Sequence, residues 1–180
     1  DLMGRLTNFV YPNGHSAGYA YNAGGGVEGV SLKAGTNTYR LITNITYNAA
    51  GKVTRVAYGN GMASDYTYNP QTLKIDHKRT VNGAGTVLQD LAYTRDPVGN
   101  IDSITDTVNT GTQTFQYDAL NRLTQAVGAS YGTQTFAYDA IGNMTTKAGM
   151  TMTYGGPKPH AVMTTSSGLA MSYDADGNMT

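Results

Sequence analysis

Large apolar residues in this chain rarely fall at the three- and four-residue spacing of a buried helix face. They fall two apart. Tyr19 and Tyr21, Ile45 and Tyr47, Tyr66 and Tyr68, Phe115 and Tyr117, Phe136 and Tyr138, and Met171 and Tyr173 form such pairs. A spacing of two places both side chains on one face of a strand. No segment sustains a 3.6-residue apolar period, so the pattern predicts strands throughout.

The residues after each pair repeat as well. Tyr117-Asp118-Ala119-Leu120-Asn121-Arg122-Leu123-Thr124 is matched by Tyr138-Asp139-Ala140-Ile141-Gly142-Asn143-Met144-Thr145. Further copies begin at Asp1, Asn48, Asp96 and Asp174, with looser ones at Asn22 and Asn69. The predicted turns lie near residues 1–7, 22–27, 48–54, 69–75, 96–102, 118–124, 139–145 and 174–180. Recurrence every ~20 residues is the signature of a repeat array.

Each copy reads as a hairpin turn. Asp or Asn at its first position can bond backbone N–H groups two residues on, and Pro70 and Pro97 occupy the second, where proline is favoured. Gly51, Gly99, Gly142 and Gly177 hold the fourth, where a left-handed residue completes a hairpin with a bulge. Asn121 takes that place in one copy, and Asn tolerates the conformation next best. Leu6, Val53, Ile101, Leu123 and Met144 then open the return strands. Strands of roughly 5–8 residues fit the repeat step. The prediction is all-β: seven or eight tandem hairpins in one continuous antiparallel sheet ribbon, a single array over 1–180, with Gly24–Gly35 and Thr80–Gly85 as the longest loops. Tyr21, Tyr47, Tyr68, Tyr117, Tyr138 and Tyr173, with Asn48, Asn69, Asp96, Asp118, Asp139 and Asp174, are the structural repeat positions.

Composition narrows the function. The 180 residues carry 12 basic and 12 acidic side chains, for a net charge of +0. That leaves no basic footprint for nucleic acid. With no Cys there is neither a disulfide framework nor a thiolate metal site. No apolar run is long enough to span a bilayer, so membrane insertion by this segment is not expected. The opening Asp1-Leu2-Met3-Gly4, without an initiator Met, reads as a piece of a longer polypeptide.

Several local patterns suggest chemistry. Gly128-Ala129-Ser130-Tyr131-Gly132, with Asp139 and His160 downstream, has the spacing of a hydrolase nucleophile elbow, but an alternating strand comes next where a helix is required. Gly24–Gly29 matches a dinucleotide fingerprint without the helix that would face the pyrophosphate. Asp174, Asp176 and Asn178 space oxygens like the start of a calcium loop, yet Asp176 sits at a variable turn position. His15, His77 and His160 lie in different repeats without ligand spacing. Asn44, Asn143 and Asn178 open glycosylation sequons, two of them products of the repeat ending. No catalytic, cofactor or metal site emerges. The repeated tyrosines admit two readings: packing between neighbouring hairpins, or a ladder that stacks on sugars.

The Tyr117–Thr124 and Tyr138–Thr145 motifs, with Tyr58-Gly59-Asn60-Gly61 and Pro159-His160-Ala161-Val162, resemble the YD repeats of RHS proteins. The resemblance is weakest over Gly24–Arg40 and departs at Arg95 and Thr72, where aromatic pairing and turn type are in question. It implies a sheet ribbon that spirals into a hollow shell around a C-terminal toxin or effector domain. Such a protein is exported or at the cell surface, and its partners are the remaining repeats and the enclosed domain. Members that release cargo cut themselves in a core that nothing here matches, so the chain itself is expected to be non-enzymatic and without cofactor. The alternative implied by the same family is an extracellular adhesion or carbohydrate-binding repeat, with surface glycans as partners.

Overall fold

The structure, a computed structural model, describes residues 1–180. It is all-β. Fifteen strands succeed one another: β1 (Asn8–Val10), β2 (Ser16–Tyr21), β3 (Val27–Ala34), β4 (Asn37–Tyr47), β5 (Val53–Tyr58), β6 (Ala63–Tyr68), β7 (Ile75–Val81), β8 (Val87–Arg95), β9 (Ile101–Asp106), β10 (Gly111–Tyr117), β11 (Leu123–Gly128), β12 (Gly132–Tyr138), β13 (Met144–Lys147), β14 (Met150–Thr153) and β15 (Thr164–Thr165). Strand order is chain order, with no crossover. The tandem antiparallel hairpins read from the sequence are therefore the fold.

The chain divides into two compact units, Asp1–Tyr93 with Asp106–Thr110, and Thr94–Thr105 with Gly111–Thr180. In the first, β2 to β7 pair in sequence, and the register slips at Ala20/Tyr21, Thr46/Tyr47 and Thr67/Tyr68. In the second, β10 to β15 do the same, with slips at Gln116/Tyr117 and Ala137/Tyr138. The register also shifts at Val30/Ser31 and Ile42/Asn44, but each slip named above falls at a repeat tyrosine. It is the bulge that a left-handed turn residue imposes on the hairpin.

The largest departure from the sequence reading lies at Gly24–Gly35. Val27–Ala34 is an eight-residue strand, not loop, paired on both sides. Its central Val30-Ser31-Leu32 alternates as a strand should, and the flanking glycines obscure that. Its partner β4 runs to eleven residues, longer than the expected span, and slips register at Ile42/Asn44. Thr80 and Val81 end β7, so the loop there shrinks to a turn at 82–86.

Neither unit has a conventional core. The buried apolar side chains are Ala17 and Ala63 in the first and Ala126 in the second, and no large side chain is fully buried. The buried polar pair Ser64 and Thr80 faces across β6 and β7 and shares a hydroxyl hydrogen bond of 2.8 Å. With so little apolar burial, order has to come from the backbone ladder and from side chains that bond the backbone.

Candidate functional site: the Asx turns and their tyrosine latches

The repeat turn can be built from Asp139. Its N–H donates to Asn143 C=O (2.9 Å), and the Gly142 N–H donates to its carbonyl (3.2 Å). Its Oδ1 accepts the N–H groups of Ile141 (3.0 Å) and Asn143 (2.8 Å), and its Oδ2 accepts Asn143 Nδ2 (2.9 Å). Gly142 carries φ +92°, as Gly51 (+73°), Gly99 (+96°) and Gly177 (+93°) do at the same place. Asn121 takes it at +60°. Asp96, Asp118 and Asp174 form the same closure, and so does Asn48 through its amide oxygen. At Asn69 the turn is one residue longer: Leu73, not Thr72, is left-handed at +54°, and its N–H reaches Asn69 C=O (2.9 Å).

These donors set the charge of the turn. At Asp118 the Arg122 backbone N–H, against a little burial, holds the carboxyl below the ordinary value of 3.8. At Asp174 the Asn178 side chain does so first. Partial burial pushes Asp96 and Asp139 up, but donors from Asn100, Gly99 and Val98, and from Asn143, Ile141 and Gly142, outweigh it and lower both.

Five of the repeat tyrosines, together with Tyr154, latch onto the hairpin before them through their hydroxyls. The hydroxyls of Tyr21, Tyr47 and Tyr68 donate to the carbonyls of Leu6 (2.7 Å), Val27 (2.6 Å) and Val53 (2.7 Å). In the second unit Tyr117, Tyr154 and Tyr173 donate to Ile101 (2.9 Å), Met144 (2.9 Å) and Val162 (3.0 Å). Ring-on-ring packing between repeats does not occur, and the one ring pair is Phe9 with Tyr11. At Tyr138 the Arg122 guanidinium lies over the ring, 4.5 Å from its centre, as Arg5 lies over Tyr21 at 4.4 Å. Burial pushes the Tyr117 hydroxyl up, and the charges of Asp96 and Asp102 add to this, so it stays a donor at neutral pH.

A third element was not singled out from the sequence. The residue four after the Asx is Arg5, Lys52, Asn100, Arg122, Asn143 or Asn178. In the second unit Asn100, Arg122 and Asn143 reach beyond their own turn. Asn100 Nδ2 bonds Asp96 Oδ2 (2.9 Å) and Asn121 Oδ1 (2.9 Å). Arg122 Nε bonds Asp118 (2.7 Å) while its Nη1 points at Asp139 C=O (3.5 Å). Asn143 Nδ2 also reaches Pro159 C=O (2.9 Å), and its Oδ1 pairs with His160 Nδ1 (2.7 Å). Lys158 Nζ bonds the carbonyls of Asp174 and Ala175, both at 2.7 Å. The signal was present: that column holds only Arg, Lys or Asn in the regular copies.

The catalytic patterns are absorbed by this architecture. Gly128–Gly132 is the hairpin between β11 and β12, and the Asp139 carboxylate is taken up by its own turn. Gly24–Gly29 runs into β3. Both Asp174 oxygens accept from Asn178. His77 pairs with Asp90, and His15 with Asn13 (3.4 Å). The sequon residue Asn143 is buried, and its amide is bonded on both sides.

No family model matches the chain. Among curated proteins it is 33% identical over 143 residues to the toxin subunit YenC1 of Yersinia entomophaga, and 30% over 145 residues to YenC2 of the same organism. Each match covers 71% of this chain but only 14% and 15% of those proteins. Among solved structures, the Photorhabdus luminescens Tc holotoxin pore superposes with a TM-score of 0.82 at 25% identity, over 99% of this chain and 11% of that one. A TcdB2–TccC3 complex gives 0.81 at 23% identity, over 98% of this chain and 12% of that one. A repeated Tyr–Asx turn, a latch onto the preceding hairpin and likeness to these toxin subunits identify the chain as a stretch of RHS-type YD repeats.

Proposed function

We propose that this chain is a non-enzymatic stretch of wall in an exported RHS-type shell that encloses a C-terminal toxin or effector domain of the same polypeptide. One observation carries this reading. Side chains fasten hairpin to hairpin, while almost no apolar residue is buried by the chain itself. A protein built to present a site concentrates its polar groups there. Here they are distributed evenly along the repeats and stiffen a sheet. The partners are further repeats and the enclosed domain, and the function is confinement until delivery. Likeness to toxin subunits supports the same assignment.

Stacking on glycans is the weaker reading, because the tyrosine hydroxyls it would use are donated to backbone carbonyls. Limited proteolysis of the full-length polypeptide tests the proposal. A C-terminal segment should resist protease in native buffer and be cut once mild denaturant opens the repeats. Equal cleavage rates under both conditions would overturn confinement, and glycan-array binding by the repeats alongside them would favour adhesion.

A further inference from the structure

Three Asn-Gly pairs occur in this chain, at Asn13–Gly14, Asn60–Gly61 and Asn82–Gly83, all in turns opposite the Tyr–Asx side. Asn-Gly is the dipeptide in which the following backbone nitrogen meets least steric hindrance on approach to the side-chain amide carbon. The three are not equivalent in the fold.

At Asn13 and Asn60 the glycine is the fourth residue of its turn, and its N–H is engaged. Gly14 donates to Tyr11 C=O (2.9 Å) and Gly61 to Tyr58 C=O (3.1 Å). Each amide oxygen there accepts a single backbone N–H, from His15 (3.1 Å) or Met62 (3.1 Å). Asn82 instead opens its turn. The bonds that close it run from Gly85 N–H to Asn82 C=O (3.0 Å) and from Asn82 N–H to Thr86 C=O (2.9 Å). Gly83 lies at the second position, exposed, with its N–H outside that pattern. The Asn82 amide oxygen accepts two N–H groups, from Ala84 (3.0 Å) and Thr86 (2.9 Å).

We propose that Asn82–Gly83 is a site of spontaneous succinimide formation, through which this turn converts to aspartate or isoaspartate. The Gly83 nitrogen attacks Asn82 Cγ. The oxygen that gains negative charge is the one already held by two donors, in the manner of an oxyanion hole. The N–Cγ bond forms and the Cγ–Nδ2 bond breaks. The Gly83 N–H proton departs with the amide as ammonia, leaving a five-membered succinimide. Water then opens the ring. Addition at Cγ gives aspartate, which fits the same turn as Asp96 and Asp139. Addition at the main-chain carbonyl gives isoaspartate, whose extra backbone carbon breaks the Asn82–Thr86 closure.

Other first-position asparagines are less reactive for visible reasons. Asn69 precedes Pro70, which has no N–H, while Asn22 and Asn48 precede alanine. The proline copies also supply the control, since Gly83→Pro removes the nucleophile at a position where Pro70 and Pro97 already sit. A side-chain carbon there meets only ordinary contacts, the nearest being Gly61 C=O at 3.5 Å.

Ageing the purified chain at mildly alkaline pH, with peptide mapping by mass spectrometry, tests this. Amide-to-acid conversion should accumulate at Asn82 several-fold faster than at Asn13 or Asn60. In concentrated urea the three rates should converge. Gly83→Pro should abolish conversion at Asn82, and Gly83→Ala should slow it without loss of fold. Equal or faster conversion at Asn13 or Asn60 in the folded chain would overturn the proposal. So would an Asn82 preference that persists unchanged in urea, because the fold would then not be its cause.

Discussion

Gly59 shows how much a single position can demand. A Cβ built there would lie 1.5 Å from the Arg40 carbonyl oxygen, because the Gly59 N–H reaches across to Leu41 C=O (3.1 Å). The clash is with backbone, so no side-chain rotation relieves it. Gly51 differs: it carries φ +73°, but nothing stands within 4 Å of its missing Cβ. Gly59→Ala should therefore cost about 3 kcal/mol, the upper end for overpacking. Gly51→Ala should cost nearer ~1 kcal/mol, the penalty of a left-handed alanine. Urea unfolding of the two variants decides the order, and equal losses would contradict the close approach at Gly59.

Between elements, the informative contact is Arg122, which touches its own turn through Asp118 and the next hairpin through Tyr138. If the guanidinium couples β11 to β12 through the ring, a double-mutant cycle of Arg122→Ala and Tyr138→Leu should give a coupling of ~0.5–1 kcal/mol. Additive losses would mean that the ring and the guanidinium are merely adjacent. The legibility of this arrangement was uneven. Strand, turn and repeat could be read from Tyr138, Asp139 and Gly142, because local chemistry at each favours one conformation. The carbonyl that a Tyr hydroxyl finds could not, since it lies 15 residues upstream for Tyr68 but 20 for Tyr47. Strand β3 was missed because Gly24, Gly25, Gly26 and Gly29 outweigh a short alternating run, and pairing with β2 and β4 settles what propensity leaves open.

Across the whole molecule the two units close their repeat turns with different chemistry. The first uses the amides of Asn22, Asn48 and Asn69, apart from the turn at Asp1, whereas the second uses the carboxylates of Asp96, Asp118, Asp139 and Asp174. The four carboxyls are lowered in the folded chain relative to the ordinary 3.8. A lowered carboxyl binds protons more weakly when folded than when unfolded. Its contribution to stability is therefore present above 3.8 and is lost as pH falls through the folded value. Amide turns carry no such dependence. Acidification below that point should loosen the second unit's turns while leaving those at Asn22, Asn48 and Asn69 protected. Asp106, lowered by Asn109 in the first unit, should loosen with the second group. Hydrogen exchange at pH 5 and pH 3, each rate corrected for intrinsic exchange, reads this turn by turn. Replacing all four aspartates with asparagine should flatten the difference, since Oδ1 still accepts the two N–H bonds and no proton is taken up. Acid loosening that is uniform across both units, or that survives the fourfold replacement, would assign acid sensitivity to something other than these carboxylates.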